Sequence, residues 1–323
     1  MELCHNAGMQ ALFDAIAAMP LCHDAQRLFH GRGGRFAGCE HLALDIYPPV
    51  FVLTSFEPLA DEALATIGTA LQARWARIAP GEPLNWVFQC RHEQQRETRL
   101  MAGSVPEPHV VAEQGARYRV HVDKGQNHGL FLDMAEGRRW VCEHIAARKA
   151  QEPRGAKVLN LFAYTCAFSV AALQGGARQV VNVDMARGAM AIGQQNHQLN
   201  GLTAGASFLA HDIFSTWGKI TRSGPYDLVI ADPPSYQKGS FVATKDYARL
   251  MRRLPDLLAP GGNALLCLNA PELGLGFLQD QMAELAPELR FVERVANPAV
   301  FADVDEGRAL KVVVYRADPL PGS

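Results

Sequence analysis

The 7 cysteines of this 323-residue chain include no Cys-x-x-Cys pair, and their number is odd. That argues against a zinc site or a disulfide framework and for reduced thiols in a cytoplasm. A charge excess of either sign is also missing, with 31 Lys and Arg against 33 Asp and Glu and a net charge of −2. A strongly basic nucleic-acid binder is excluded, so any positive surface for RNA must be local. Met1 to Pro20 has no basic segment ahead of an apolar core, and Asp14 interrupts its pattern, so it does not read as a signal peptide. No apolar run approaches the roughly 20 residues of a membrane span. What remains, 48% hydrophobic and 20% charged residues, suffices for a sizeable core without staples, and the length suggests two domains.

The first part of the chain mixes element types. Met9, Leu12, Phe13, Ile16 and Ala17 predict an amphipathic helix over Gly8 to Met19. Gly31-Arg32-Gly33-Gly34-Arg35 lacks the phosphate-loop pattern and reads either as a flexible turn or as an RNA backbone contact. Leu42–Asp45 and Val50–Ser55 read as strands around Tyr47-Pro48-Pro49, Leu59–Ile78 as a helix, Trp86–Cys90 as a strand and Arg91–Arg99 as a polar segment. Pro106-Glu107-Pro108 breaks the chain before a hairpin from Val110 to Val122.

From about Gly155 strands and helices alternate. Strands are expected at Val158–Phe162, Val180–Val183, Ala206–Leu209, Asp227–Ala231, Asn263–Leu268 and Lys311–Tyr315. Helices are expected at Phe168–Leu173, Ala186–Leu199, Ala243–Leu258 and Phe277–Leu285. That alternation implies a doubly wound, mostly parallel sheet. The expected organisation is an extension over 1–41, an α+β substrate-recognition domain over 42–135 and a catalytic domain over 136–323.

Ligands of such sheets bind beyond the carboxyl ends of the strands. Asn160-Leu-Phe162-Ala-Tyr164-Thr165-Cys166 follows the first strand, Asp184 the second, Asp212 the third and Asp232-Pro233-Pro234-Ser235-Tyr236 the fourth. Asp184 suits the two hydroxyls of a ribose, and Asp212 suits an adenine amino group. One Asp after a strand reads equally well as a helix cap; it is the run after consecutive strands that points to a nucleoside ligand. A nicotinamide enzyme would want Gly-x-Gly-x-x-Gly after the first strand, whereas Gly175-Gly176 falls after the helix and reads as its stop.

These residues resemble the bacterial large-subunit rRNA methyltransferases, a family that includes cytosine-5 enzymes and a guanine-N7 domain. The resembling segments are Val158–Thr165, Gly175–Asp184, Asn196–Leu202 and Asp232–Ser235, with Gly125–Asp133 and Arg138 upstream, and the likeness runs from about Leu42 to Tyr315. The resemblance implies a class I, Rossmann-like α/β fold with a smaller N-terminal α+β domain. It implies S-adenosylmethionine (SAM) as cofactor, RNA as partner, no metal and no membrane, and leaves a homodimer open. It assigns cofactor contacts to Phe131, Asp133, Arg138, Asn160, Phe162, Tyr164, Thr165, Asp184, Met185, Asp212, Ile213 and Asp232. Two departures stand out: Cys166 replaces the family's usual glycine, which predicts a tighter approach to the methionine end, and no counterpart of the N-terminal PUA domain of the cytosine-5 members is expected ahead of the resembling region.

The methylated atom stays open. Cytosine-5 transfer needs a thiolate nucleophile; Asn269 falls at the family's cysteine position, while Cys267 shares its strand face. Nitrogen transfer needs only positioning. Asp232, Pro233, Pro234 and Tyr236 resemble the signature of amino-group methylases with the aromatic ring one place later, and Asn269 resembles the guanine-N7 domain. The expected activity is therefore methylation of a base nitrogen in ribosomal RNA, with cytosine-5 transfer through Cys267 and a non-catalytic SAM- and RNA-binding role as alternatives. Local basic groups are Arg91, Arg96 and Arg99, and then Lys238, Lys245, Arg249, Arg252 and Arg253, which flank the Asp232 loop on one helix and read either as a phosphate contact or as a solvated helix face.

Overall fold

Leu42, Leu44 and Ile46 alternate along one strand with Ala43, Asp45 and Tyr47, and this period of two gives the first sheet its two unlike faces. The computed structural model describes residues 9–234, 236–237 and 241–319, the pair 236–237 as backbone only. Two compact units are formed, Met1–Asp133 with Pro298–Glu306, and Met134–Asn297 with Gly307–Ser323.

The first unit runs α1 (Gln10–Ala18), β1 (Gln26–His30), β2 (Leu42–Tyr47), β3 (Val50–Ser55), α2 (Asp61–Ile78), β4 (Asn85–His92), β5 (Gln95–Ala102) and a hairpin of β6 (His109–Glu113) and β7 (Ala116–Val120). Its five-stranded sheet has the order β1-β2-β3-β4-β5. Only β3 and β4 pair in parallel, with α2 as their crossover. On α2, Leu64, Ile67, Leu71 and Trp75 form one apolar stripe that packs with Leu12 and Ile16 of α1 on Leu44, Ile46, Phe51 and Phe88. Full burial stabilises each of these side chains by about 1.5–3 kcal/mol.

The opposite face is polar. Arg27 Nε and Nη2 donate to Asp45 Oδ1 and Oδ2 at 2.7 and 3.0 Å, and the guanidinium lies 4.6 Å from the centre of the Phe301 ring. Gln89 Nε2 donates to the carbonyls of Val122 and Gly125, at 3.0 and 3.3 Å. Its Oε1 accepts from Arg91 and from His128 Nε2, the latter at 3.0 Å. Tyr47 Oη donates to the Leu130 carbonyl at 3.2 Å. These bonds tie the chain between Val122 and Leu130 to the sheet.

His128 is 6% exposed. Burial, and then Arg91, pushes its pKa down to about 4; His121 and Arg27 act in the same direction and Asp45 opposes them. Between about 6.5 and 4 the unfolded chain binds the proton and the folded one does not. The contribution, at most about 3 kcal/mol, is complete above pH 6.5 and is lost as the pH falls toward 4. Denaturant titrations of wild type and His128→Gln from pH 7 to 4 are expected to show a smaller acid loss in the variant. Identical slopes would mean that His128 is protonated in the folded state.

The second unit runs α3 (Ala135–Gln151), β8 (Lys157–Leu161), α4 (Ala167–Gln174), β9 (Gln179–Val183), α5 (Arg187–Leu199), β10 (Ala206–Leu209), α6 (Trp217–Ser223), β11 (Tyr226–Ala231), β12 (Tyr236–Gln237), β13 (Phe241–Val242), α7 (Ala243–Met251), α8 (Leu254–Leu257), β14 (Leu258–Leu268), α9 (Leu275–Leu285), β15 (Leu289–Val295) and β16 (Lys311–Ala317). Its sheet has the order β10-β9-β8-β11-β14-β16-β15. The strands from β10 to β14 are mutually parallel, and β16 runs antiparallel to both its neighbours. Each central strand sends alternate residues into two cores. Leu159, Leu161, Val229 and Leu266 join Tyr247, Leu250 and Met282 on one side; Val158, Leu228, Ile230 and Leu265 join Val141, Ile145 and Phe168 on the other. This is the burial on both faces that a parallel sheet requires. Among the described residues, no helix is long and apolar enough to cross a membrane.

Several expectations need correction. Residues 10–41 are no separate extension: β1 pairs with β2, and Leu12 and Ile16 are core residues of the first unit. The polar segment Arg91–Arg99, given no element from sequence, is the end of β4, its turn and part of the edge strand β5, whose backbone pairing holds despite exposed side chains. The helix expected over Ala243–Leu258 ends at Met251 and restarts at Leu254 ahead of Pro255. The glycine-rich loop is a packed turn, since a Cβ on Gly31 would stand 1.7 Å from the Cys39 carbonyl oxygen and one on Gly33 2.3 Å from that of Ala302.

Candidate cofactor and active site

Leu209, Val183, Leu161, Ala231 and Leu266 lie in register across five parallel strands. The residues that follow them therefore share one edge of the sheet: Asp212 after β10, Asp184 after β9, Phe162–Thr165 after β8, Asp232 after β11 and Asn269 after β14. Strand order reverses between β8 and β11, because the chain moves outward through β9 and β10 and then returns across β8. The crevice at such a reversal is where open α/β sheets hold ligands.

The β8–α4 loop is unusual in its backbone. Phe162, Tyr164 and Cys166 have φ of 57°, 48° and 61°, the left-handed region that costs side-chain-bearing residues about 1–2 kcal/mol each. Such strain persists where surrounding bonds over-determine the loop. Ala163 N donates to the Val183 carbonyl at 3.1 Å, Tyr164 N to Asp184 Oδ2 at 2.8 Å, and Asn196 Nδ2 to the Thr165 carbonyl at 3.0 Å. Thr165 is buried. Phe162 is half-buried, edge-on to Phe241 at 5.2 Å. The Cys166 side chain turns into the fold, with its sulfur 3.8 Å from Met190 Sδ. A Cβ on Gly193 would come within 2.5 Å of that sulfur, so a glycine on α5 makes the room that the cysteine takes up. Burial, with the Asp184 charge, raises the Cys166 thiol far above the ordinary range, which leaves it an inert packing group.

Asp184 is half-buried and does two jobs in the backbone. Its Oδ2 holds the strained Tyr164, and its Oδ1 accepts from Ala186 N at 2.8 Å. Each carboxylate oxygen retains a lone pair for a hydroxyl, as a bound ribose requires. Met185 beside it is 48% exposed. Asp212 Oδ2 accepts from Ser215 N at 2.9 Å, and its carbonyl accepts from the Ser215 and Thr216 hydroxyls, so this aspartate also shapes a turn. Ile213 is buried in the core beneath it. Asn160 lies inside the sheet, where its Nδ2 donates to Asn182 Oδ1 at 2.9 Å. Arg138 is buried on α3 of this unit, whereas Phe131, 43% exposed, and Asp133 close the first unit.

On the other side of the crevice Asp232 is half-buried and Pro233 is buried. Tyr236 pairs with Val242 through its backbone; its side chain, Ser235 and Lys238 lie outside the described residues. Asn269 is exposed between buried Leu268 and Ala270. Cys267 has no exposed surface and packs in the core with Leu265 and Val312.

Sequence reasoning alone does not single out Tyr247 and Lys311. Tyr247, buried on α7, donates its hydroxyl to the Cys267 carbonyl. Burial, and then the charges of Cys267 and Asp232, hold its own proton on well above the usual range. Lys311, with no exposed surface, donates from Nζ to the Ala270 carbonyl at 2.9 Å. Two buried donors thus grip the backbone on either side of Asn269. The one signal for Lys311 is a lysine opening the apolar strand Val312–Tyr315; Tyr247 carries none.

A family model described as S-adenosylmethionine-dependent methyltransferase matches residues 26–316. Over 293 residues the chain is 27% identical to ribosomal RNA large subunit methyltransferase I of Aeromonas salmonicida, covering 87% of this chain and 72% of that protein. It is 38% identical over 231 residues to ribosomal RNA large subunit methyltransferase K/L of a Psychrobacter species, covering 66% of this chain and 27% of that protein. A solved Streptococcus mutans chain assigned as a SAM-dependent methyltransferase superposes with a TM-score of 0.79 at 25% identity, covering 97% of this chain and 81% of that one.

Proposed function

This chain belongs to the S-adenosylmethionine-dependent methyltransferase family, and we propose that it methylates a base nitrogen in ribosomal RNA. The observation that carries the reading is Asp232-Pro233-Pro234 just past the end of β11, with Asn269 just past the end of the neighbouring parallel strand β14, while Cys267 is wholly buried. The names of the relatives in the two ribosomal groups support the choice of RNA.

In the proposed site Asp184 takes the ribose hydroxyls, Asp212 the adenine amino group and the loop Phe162–Thr165 the methionine end, with Arg138 and Met185 at its margins. When bound, SAM supplies an electrophilic methyl group on a sulfonium. Asp232 accepts a hydrogen bond from the attacking nitrogen and directs its lone pair along the line of transfer, and the Asn269 amide pairs with the edge of the base. Pro233 and Pro234 fix the backbone between them. Methyl transfer to that nitrogen would need no covalent enzyme intermediate, and Asp232 would take up the proton that the nitrogen loses. Substrate recognition falls to the first unit, and the setting is the cytoplasm.

Incubation with tritiated SAM and undermodified ribosomal RNA, followed by nucleoside analysis, tests the reading. A labelled N-methyl base is the expected result; label in 5-methylcytosine or none in RNA overturns it. Cys267→Ser is expected to retain most activity, with a stability loss of about 1–3 kcal/mol from a hydroxyl in an apolar site. A folded but inactive Cys267→Ser, or trapping of 5-fluorocytosine RNA by the wild type, would instead favour cytosine-5 chemistry.

A further inference from the structure

We infer that the outer face of α7, together with α6, is a docking surface for the phosphate backbone of the substrate RNA. This rests on the reading of RNA as substrate and adds where the strand runs. On α7 the residues Ala243, Tyr247, Leu250 and Met251 are buried. At 3.6 residues per turn, Lys245, Arg249 and Arg252 fall within about 60° of one another on the opposite side. All three are exposed.

Neighbouring α6 adds Lys219 and Arg222, also exposed. The neighbouring segments meet through aromatic rings: the guanidinium of Arg249 on α7 lies 3.9 Å from the centroid of Phe214, which precedes α6, and that of Arg253, between α7 and α8, 5.6 Å from Trp217 of α6, with Arg253 Nη2 donating to Thr221 at 3.2 Å. Residues 217–223 and 243–256 hold six cations against two carboxylates, Asp246 and Asp256, in a chain of net charge −2. Those carboxylates pair with Arg249 at 3.0 Å and Arg253 at 3.4 Å, and both arginines are more than a third exposed. The exposed Arg253–Asp256 pair is worth little, so a phosphate readily takes that guanidinium over; Asp246 is only 16% exposed and also accepts from Val242 N, and it engages Arg249 through Nη1. A guanidinium held over an aromatic ring keeps its charge and N–H donors for phosphate recognition.

The location gives the surface its purpose. The inner face of the same helix carries Tyr247, which reaches the Cys267 carbonyl and feels the charge of Asp232. One helix therefore supports the proposed reacting centre with one face and presents cations with the other. A strand whose base enters at Asp232 has its neighbouring phosphates within reach of this face. Phosphate contacts of this kind set register without reading sequence, and they fit a protein whose overall charge provides no attraction.

The test uses the full chain and a fluorescein-labelled oligouridine, with anisotropy read over a series of salt concentrations. For Lys245→Gln/Arg249→Gln/Arg252→Gln, loss of three phosphate contacts lowers the slope of log affinity against log salt by about 2 and weakens binding at low salt by roughly ten- to a hundredfold. SAM affinity and thermal unfolding are expected to match wild type. A control carrying Lys149→Gln, Arg178→Gln and Arg290→Gln, exposed cations elsewhere on the unit, is expected to bind as wild type. Should the triple variant unfold, the exposed single changes Lys245→Gln and Arg252→Gln carry the test, each with a slope change of about 0.7. If wild type binds RNA and the variants keep its affinity and slope, the docking surface is wrong and the substrate reading stands. If wild type neither binds the probe nor labels ribosomal RNA, the substrate reading fails and the docking surface with it.

Discussion

Asp232→Ala is expected to lower kcat by roughly a thousandfold, the range for removing a group aimed at charge that develops in the transition state, and to leave the fold in place. The carboxylate sits past the last core residue of β11, Ala231, and is half-buried, so its loss opens no cavity. What disappears is the acceptor that orients the attacking nitrogen. SAM affinity should fall far less than kcat, since Asp232 is one cofactor contact of several and the proposed ribose and adenine contacts lie on Asp184 and Asp212. Single-turnover methyl transfer with saturating SAM, set beside calorimetric SAM binding and thermal unfolding, separates these effects. A variant that turns over normally would remove Asp232 from the chemistry; one that no longer unfolds cooperatively would make it a structural residue.

Asp184→Ala is expected to act on affinity and stability together. The carboxylate holds two backbone donors, Tyr164 N and Ala186 N, and the first of these belongs to a residue in left-handed conformation. Charge-assisted bonds are worth about 1.5–3 kcal/mol each. Water replaces the bond to exposed Ala186, so a stability loss of about 1–3 kcal/mol is expected. The ribose contacts and the ordered β8–α4 loop disappear with it, and SAM binding should weaken by at least tenfold. Calorimetry showing unchanged affinity would sink the ribose assignment. Lost affinity with unchanged melting would mean that the loop holds its shape without Asp184.

The strands that frame the site are readable as short apolar runs because a parallel strand is buried on both faces, and their ends then point to Asp184, Asp212 and Asp232. Edge strands are less visible. β5 and β15 each expose about half of their length, so charged residues such as Arg96, Arg290 and Glu293 hide the pattern. Helix α3 is hidden for another reason: its buried stripe includes Gly137 and Arg138 beside Val141 and Ile145, and no apolar period emerges.

By itself the sequence determined the alternation of strands and helices, the residues at the strand ends and hence the class of enzyme, since these depend on local periodicity and on turns a few residues long. Tertiary structure alone decided what those residues are bonded to. Asp184 turned out to pin a strained loop, Cys166 to fill the space left by Gly193, and Tyr247 and Lys311 to grip the backbone around Asn269 from segments 20 and 41 residues away from their acceptors. Residues 298–306 return to the first unit from far along the chain. The reason is that such contacts join residues distant in sequence through the geometry of packed layers, and no local pattern of polarity or propensity encodes which distant carbonyl a buried donor will meet.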